Sequence, residues 1–84
     1  MNKKIKKRDG SFEPYYESKI AKVMVAAGLS TIEAQKIAAK VTEWVNSQQG
    51  EINSLAIRDK VLEELNKVSK YAAGFYTWYE KTKD

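Results

Sequence analysis

The 84-residue sequence contains no cysteine and no histidine, and it has one proline and four glycines. Without cysteine the fold has no disulfide, and zinc sites of the usual kind lose their preferred ligands. Ser-His-Asp triads and Cys-His pairs are excluded as well, so that only carboxylate, lysine or tyrosine side chains could perform catalysis. The composition therefore argues against an enzyme.

Long hydrophobic segments are also missing. No apolar run approaches the roughly 20 residues that a membrane helix needs, and the N-terminus lacks the apolar centre of a signal peptide. Hydrophobic residues make up 43% and charged residues 31% of the chain, which is typical of a globular protein and not of a disordered one. We expect residues 1–84 to form one cytoplasmic domain with a thin core.

Positive charge is concentrated at the N-terminus. The net charge is +4, with 15 basic and 11 acidic residues. Five of the basic residues fall within the first eight positions, namely Lys3, Lys4, Lys6, Lys7 and Arg8. The other 76 residues hold 10 basic and 11 acidic side chains. An anionic partner should therefore bind beside the basic segment.

The pattern of residues 1–16 predicts a β-hairpin. Asp9-Gly10 is the kind of pair that supplies the positive φ angles of a tight turn. Alternation along the first strand would place Ile5 and Lys7 on one face. Pro14 cannot donate a hydrogen bond to a neighbouring strand, which puts the returning strand at an edge or at its own end.

Residues 17–84 predict four helices, with residues 51–53 able to add a third strand to the hairpin. Ser30 and Glu33 form an S-x-x-E capping box for the second helix, and Asn53 or Ser54 can cap the third. We expect helices from about Glu17 to Gly28, Ser30 to Ser47, Ser54 to Ser69 and Tyr71 to Tyr79. Fold class is thus α+β, with a small hairpin or three-stranded sheet on a four-helix bundle.

The third and fourth helices carry the remaining sequence signals. Ion pairs between Lys60 and Glu64 and between Glu63 and Lys67 are expected on the solvent side of the third helix. Its inward face would consist of Ile57, Val61, Leu65 and Val68. Three acidic residues of this helix, Asp59, Glu63 and Glu64, could be read as a metal site. A solvent-exposed helix face is the simpler interpretation. The fourth helix holds five of the nine aromatics, of which Trp78 falls off the main stripe and should be exposed.

Cations at a strand end and at helix starts are the candidate site residues. No glycine-rich phosphate loop is present, so phosphates would have to bind to point charges and helix N-termini. Lys7, Arg8, Lys19 and Arg58 are the candidates. Arg58 lies near a helix start, where the helix dipole also attracts an anion. Alternatively, Arg58 is a surface residue paired with Glu51 or with a neighbouring helix, and the first-strand lysines only protect an exposed edge.

Taken in order, these motifs resemble those of the ATP-cone domain. This is the small nucleotide-binding regulatory module at the N-terminus of many ribonucleotide reductases and in the repressor of their genes. The resemblance runs from Lys4 to about Lys81. Its motifs are Lys7-Arg8-Asp9-Gly10, Glu13-Pro14-Tyr15, Lys19-Ile20, the segment from Ile52 to Ile57, and Ala72, Phe75 and Tyr79 of the last helix.

The resemblance implies that the chain binds ATP or dATP, with Mg²⁺ carried on the phosphates. It implies that Ile5 packs on the adenine and that Lys7 and Arg8 contact the nucleotide. Nine residues are assigned to the site in this way: Ile5, Lys7, Arg8, Glu13, Tyr16, Lys19, Ser54, Arg58 and Lys81. Glu13 and Tyr16 would lie by the base or the turn. The phosphates would be contacted by Lys19, Ser54 and Arg58. Lys81 would supply a further cation.

Two positions depart from the family pattern. Tyr16 stands where relatives usually have Asp or Asn, and Gly74 stands where the repressor branch tends to have arginine. The implied partner is a ribonucleotide reductase catalytic domain or another fused domain, with nucleotide-dependent oligomerisation. The alternatives are a nucleic-acid-binding module, disfavoured because basic charge is confined to one segment, and an interaction domain that uses the aromatic last helix.

Overall fold

The computed structural model describes residues 3–82, which form a three-stranded sheet and four helices. The α+β fold class predicted from the sequence is confirmed. In chain order the elements are β1 (Lys4–Lys6), β2 (Phe12–Pro14), α1 (Glu17–Ala26), α2 (Thr31–Ser47), β3 (Ile52–Asn53), α3 (Ser54–Val68) and α4 (Lys70–Thr82). No helix within this described range is long and apolar enough to cross a membrane.

The sheet has the order β2-β1-β3, so the basic strand β1 is the central one. β1 pairs antiparallel with β2 and parallel with β3, which places Ile5 opposite both Glu13 and Ile52. Ile5 and Ile52 are buried in the core, whereas Lys4 and Lys6 are exposed. Pro14 lies in an edge strand, as its missing N–H requires.

The hairpin turn differs from the predicted one. The Lys7 N–H donates to the Ser11 carbonyl at 2.7 Å and the Gly10 N–H donates to the Lys7 carbonyl at 3.0 Å. Gly10 has a φ of 89°. Every positive φ between residues 3 and 82 belongs to a glycine, so Asp9 does not have the positive φ that was predicted for the Asp9-Gly10 pair. Asp9 instead accepts hydrogen bonds from the Ser11 hydroxyl at 2.6 Å and the Ser11 N–H at 2.9 Å.

The turn also changes where two candidate cations lie. Because β1 ends at Lys6, both Lys7 and Arg8 lie outside the strand, and Lys7 does not follow the strand alternation that was predicted for it. The hydrogen bonds from Ser11 lower the pKa of the Asp9 carboxyl, with a smaller contribution from the charge of Lys7. The turn is therefore closed by an ionised aspartate that lies beside the two cations.

Side-chain caps explain where three of the helices begin. The predicted capping box is present: Ser30 Oγ accepts from the Glu33 N–H and the Glu33 carboxylate accepts from the Ser30 N–H, both at 3.2 Å. The Asn53 side chain accepts from the Ala56 N–H at 2.8 Å at the start of α3. At the start of α4, Ser69 Oγ accepts a hydrogen bond from the Ala72 N–H at 3.1 Å.

The core lies between the helices and one face of the sheet. Its most deeply buried large side chains are Met24, Val41, Val45, Val61 and Leu65. Two predictions about α3 are wrong. Val68 is 49% exposed, because it is the last residue of α3 and the chain turns into α4 immediately after it. Glu64 is only 5% exposed and does not lie on the solvent side.

The aromatic residues of α4 divide between core and surface. Tyr76 is buried, and Phe75 packs at the edge of the core with its ring centroid 5.8 Å from that of Trp78. Trp78 is 60% exposed, as its position off the stripe predicted. Tyr71 is 84% exposed, so the predicted apolar stripe of this helix does not include its first aromatic residue.

Candidate functional site

A cavity of about 130 Å³ opens between the sheet and helices α1, α3 and α4. Its wall is apolar on the side of the core and polar at the rim. The apolar lining residues are Ile5, Ile20, Val23, Met24, Ile57 and Val61. The other lining residues include Glu13, Tyr16, Lys19, Ser54, Arg58 and Glu80 at the rim and the buried Tyr76. An apolar floor with convergent polar groups is the usual form of a small-molecule site.

A second cavity of about 520 Å³ adjoins the first beside the hairpin turn. Lys7, Arg8 and Asp9 line it from the turn, and Leu55 lines it from the start of α3. Three residues line both cavities: Glu13, Ser54 and Glu80. We call these three residues the junction. The first cavity alone is smaller than a typical ligand pocket of about 300–1,000 Å³, whereas the two cavities together fall within that range.

The structure brings together eight of the nine site residues that the resemblance implied. Six line the first cavity, namely Ile5, Glu13, Tyr16, Lys19, Ser54 and Arg58. Lys7 and Arg8 line the second. Lys81 is exposed near the end of α4 and lines neither of these cavities. Cations from the hairpin turn, from the start of α1 and from the start of α3 therefore line the same pair of cavities.

Arg58 is the cation in this group with the most unusual environment. Its side chain is 33% exposed, and its buried Nε has no hydrogen-bond partner among residues 3–82. The nearest carboxylate is that of Asp59, at 3.7 Å from the Arg58 guanidinium. The pairing with Glu51 that was considered as an alternative is not formed, because Glu51 lies 3.6 Å from the amine of Lys6. A buried donor without an acceptor is costly, and a bound anion would supply one.

The start of α3 adds to the attraction for an anion at the same place. Ser54 is the first residue of this helix, and its first turn contains no acidic residue. The first N–H groups of a helix lack partners within the helix and carry the positive end of its dipole. Since Ser54 belongs to the junction, this helix end faces both cavities.

Lys19 and Tyr16 form the rim at the start of α1. The Lys19 amine lies 5.3 Å from the centroid of the Tyr16 ring, within range of a cation–π contact. Tyr16 is the N-cap residue of α1, but its side chain makes no capping hydrogen bond. Tyr16 therefore presents an exposed aromatic face to the cavity in place of a capping oxygen.

Lys7 of the turn forms an ion pair with Glu13 of β2, which belongs to the junction. Their side-chain charges lie 3.8 Å apart, and both side chains are about half exposed. A solvent-exposed pair at this distance contributes little to stability. Both groups can therefore exchange partners when a charged ligand enters.

Tyr76 and Glu80 are cavity residues that the sequence patterns did not identify. The sequence placed Tyr76 only among the aromatic residues of the fourth helix and gave Glu80 no role. They lie four residues apart on α4, which places both on one face of the helix, and both line the first cavity. Burial raises the pKa of the Tyr76 phenol, the negative charge of Glu80 raises it further, and Arg58 opposes these effects. The i,i+4 spacing was the only available signal.

The acidic side chains of residues 3–82 do not gather into a metal site. Among residues 3–82 there is no group of three or more Asp, Glu, His or Cys side chains that could hold a metal ion. Asp59, Glu63 and Glu64, the acidic residues that were weighed from the sequence as a possible cluster, all lie on α3. Glu64 instead lies beside lysines.

Comparison with known families identifies this arrangement. The family model "ATP cone domain" matches residues 3–84, which is nearly the whole chain. No curated protein sequence matches the chain. Domains of this family bind ATP or dATP and regulate activity without performing catalysis themselves. The chain therefore belongs to the ATP-cone family and is a nucleotide-binding allosteric regulatory domain.

Proposed function

We propose that ATP and dATP bind across the two cavities and thereby control the activity or oligomeric state of an attached or partner protein, such as a ribonucleotide reductase. The observation that carries this proposal is the buried Nε of Arg58, which lacks an acceptor among residues 3–82 and belongs to a side chain on the cavity rim. A phosphate oxygen is an acceptor of the right charge for this donor.

The residues around the cavities suit the parts of a nucleotide. Ile5 offers an apolar surface for the base, and the exposed ring of Tyr16 lies on the same rim. Lys19, Arg58 and the start of α3 at Ser54 would hold phosphate oxygens. Lys7 and Arg8 add charge from the turn. Mg²⁺ would enter bound to the phosphates of the nucleotide.

Nucleotide binding would add a further connection between the hairpin and the helices. The hairpin is held to α2 by a hydrogen bond of 2.8 Å between the hydroxyls of Tyr15 and Thr42. A ligand held by the turn, α1 and α3 would fix the hairpin more firmly against the helices. The orientation of the hairpin is therefore the structural variable that a partner domain could sense.

Regulation requires ATP and dATP to act differently on two states of the partner assembly. A ligand with equal affinity for both states shifts nothing, however tightly it binds. ATP and dATP differ by one hydroxyl group, and a hydrogen bond to a charged group contributes about 1.5–3 kcal/mol. We propose that this difference decides which assembly state is favoured.

The test is calorimetric titration of the full chain with ATP, dATP and a single-stranded oligonucleotide, each at two salt concentrations. We expect saturable binding of ATP and dATP at or below millimolar concentration. If neither nucleotide binds in this range, the proposal is wrong. Oligonucleotide binding that weakens steeply with salt, without nucleotide binding, would instead favour a nucleic-acid-binding module.

A further inference from the structure

Helix α4 exposes two aromatic rings on either side of a glycine. Tyr71, Gly74 and Trp78 follow the i, i+3, i+7 spacing of one helical face, which we call the outer face of α4. Tyr71 is 84% and Trp78 is 60% exposed, and Gly74 is exposed between them. Ala72 and Tyr76, on the opposite side of the helix, are buried in the core. None of the three residues of the outer face lines either cavity.

The fold of residues 3–82 does not explain the glycine at position 74. A Cβ added there would meet no atom within 4 Å, and Gly74 is not among the glycines with a positive φ. Glycine is also one of the least favourable residues in the interior of a helix. Its absent side chain leaves a notch in the outer face, and such a notch permits the close approach of a second backbone.

Two lysines lie along the same side of the helix as the notch. Lys70 and Lys81 are exposed and stand eleven positions apart, which is about three helical turns or about 16 Å. Neither lysine forms an ion pair or a side-chain hydrogen bond with another of the described residues. A partner that covers Gly74 would therefore meet a cation near each end of α4, which favours acidic residues on that partner.

A helix accounts for these features better than a nucleic acid does. Aromatic rings and lysines would also suit the bases and phosphates of a single strand, but neither group requires a missing side chain. The axes of packed helices lie about 8–10 Å apart, depending on the side chains at the contact. The absence of a side chain at Gly74 would let a second helix cross α4 closely, with Tyr71 and Trp78 as aromatic anchors.

We infer that the outer face of α4 is a docking surface for an acidic amphipathic helix of a partner protein. A small residue of that helix lies over Gly74, and its acidic residues lie beside Lys70 and Lys81. This inference goes beyond the proposed function and does not depend on nucleotide binding. The opposite side of α4 contributes Tyr76 to the first cavity, so the docked helix would contact an element that also lines the nucleotide site.

The experiment is a titration of the isotope-labelled full chain with two synthetic helical peptides, followed by amide resonances in ¹H–¹⁵N NMR spectra. The acidic peptide has an alanine at the centre of a leucine stripe and flanking glutamates eleven residues apart, and the basic peptide has lysines in place of the glutamates. We expect saturable shifts at Tyr71, Gly74 and Trp78 with the acidic peptide below millimolar concentration. The basic peptide should bind about tenfold more weakly, because two exposed attractions become repulsions.

Gly74→Leu fills the notch and should weaken binding of the acidic peptide by at least about tenfold. The matched control is Ala39→Leu, which places the same side chain on an exposed position of α2 that lines neither cavity. This control should bind the peptide like the parent, and both variants should bind ATP like the parent. Circular dichroism shows whether each variant folds.

Gly74→Ala tests whether the glycine serves the fold. We expect this variant to raise the Tm by about 4–8 °C, because alanine is the better helix former and no atom obstructs its side chain. A lower Tm would show that the fold itself requires glycine at this position, and the inference would lose its premise.

Three results would overturn the inference directly: no saturable binding of the acidic peptide, equal binding of the two peptides, or full parent affinity in a folded Gly74→Leu variant. A single-stranded oligonucleotide that binds the outer face more tightly than the acidic peptide would overturn it in favour of a nucleic-acid partner. A chain that binds ATP but not the peptide contradicts only this inference. A chain that binds the peptide but neither ATP nor dATP contradicts only the proposed function.

Discussion

Helix α3 carries two partly or wholly buried charges, Arg58 and Glu64, whose surroundings are opposite. Glu64 lies 3.4 Å from the Lys67 amine, 3.5 Å from Lys60 and 3.9 Å from Lys40. Arg58, less than two turns earlier, has a buried Nε with no acceptor among residues 3–82. The same helix thus holds Glu64, which is surrounded by opposite charges, and Arg58, whose Nε lacks an acceptor among the described residues.

The difference separates a charge that is compensated within the fold from a charge that we propose binds the ligand. Burial alone would raise the pKa of Glu64, but Lys67 and Lys60 outweigh this effect and lower it. Its ionised form is therefore satisfied within the fold. Arg58 gains no comparable compensation from its contact with Asp59 at 3.7 Å. Glu64, in the second half of α3, thus contributes to stability, and we propose that the first half serves ligand binding.

The largest effect that would test this division is expected for Arg58→Gln. Loss of a charge-assisted contact to phosphate should weaken ATP binding about tenfold to a hundredfold, as measured by calorimetry. The free energy of unfolding should not fall, because the substitution removes a buried donor that lacks an acceptor. Lys36→Gln on the exposed face of α2 is the matched control and should bind ATP like the parent. An unchanged affinity in Arg58→Gln would remove Arg58 from the site.

Glu64→Gln should show the reverse behaviour. We expect the free energy of unfolding in urea to fall by about 1 kcal/mol, since the lysines around Glu64 are partly exposed and each pair is screened by water. ATP affinity should stay within about twofold of the parent. A loss of ATP affinity as large as that in Arg58→Gln would show that the two halves of α3 are not separate.

Lys19→Ala should weaken ATP binding less than Arg58→Gln does. Lys19 is exposed at the start of α1, and exposed charges contribute about 0.2–1 kcal/mol, which corresponds to a loss of up to about fivefold. The stability of the domain should not change. If Lys19→Ala has the larger effect, the phosphates lie closer to α1 than to α3.

The smallest effect is a pH dependence of stability that comes from Glu64. Because the pKa of Glu64 in the fold is lowered from its ordinary value of 4.5, its stabilising effect is complete above that pH. It is lost as the pH falls through the lowered pKa. The difference in free energy of unfolding between the parent and Glu64→Gln should therefore shrink below about pH 4.5. A constant difference down to pH 3 would show that this charge does not stabilise the fold.

Local features of the fold were predictable from the sequence, because each depends on neighbours in the chain. The capping box of Ser30 and Glu33, the hairpin and the short third strand follow from spacing and residue type. The exact turn was not predicted, since Asp9-Gly10 is compatible with more than one loop and the structure uses a longer one.

Features that depend on tertiary contacts were missed. The burial of Glu64 requires Lys40 from α2 as well as two lysines of its own helix. The approach of Glu80 to the cavities depends on where α4 packs, which no local pattern reveals. The resemblance to the ATP-cone family supplied most of the candidate site, because residue patterns indicate cations but not that they converge.

The most direct test of nucleotide binding at this place is a titration of the isotope-labelled chain with ATP, followed by the amide resonances in ¹H–¹⁵N NMR spectra. We expect saturable shifts at Ile5, Lys19, Ser54 and Arg58, with much smaller shifts near Glu64. Shifts confined to the exposed aromatic residues Tyr71 and Trp78, or no saturable shift at millimolar ATP, would contradict a nucleotide site between the sheet and the helices.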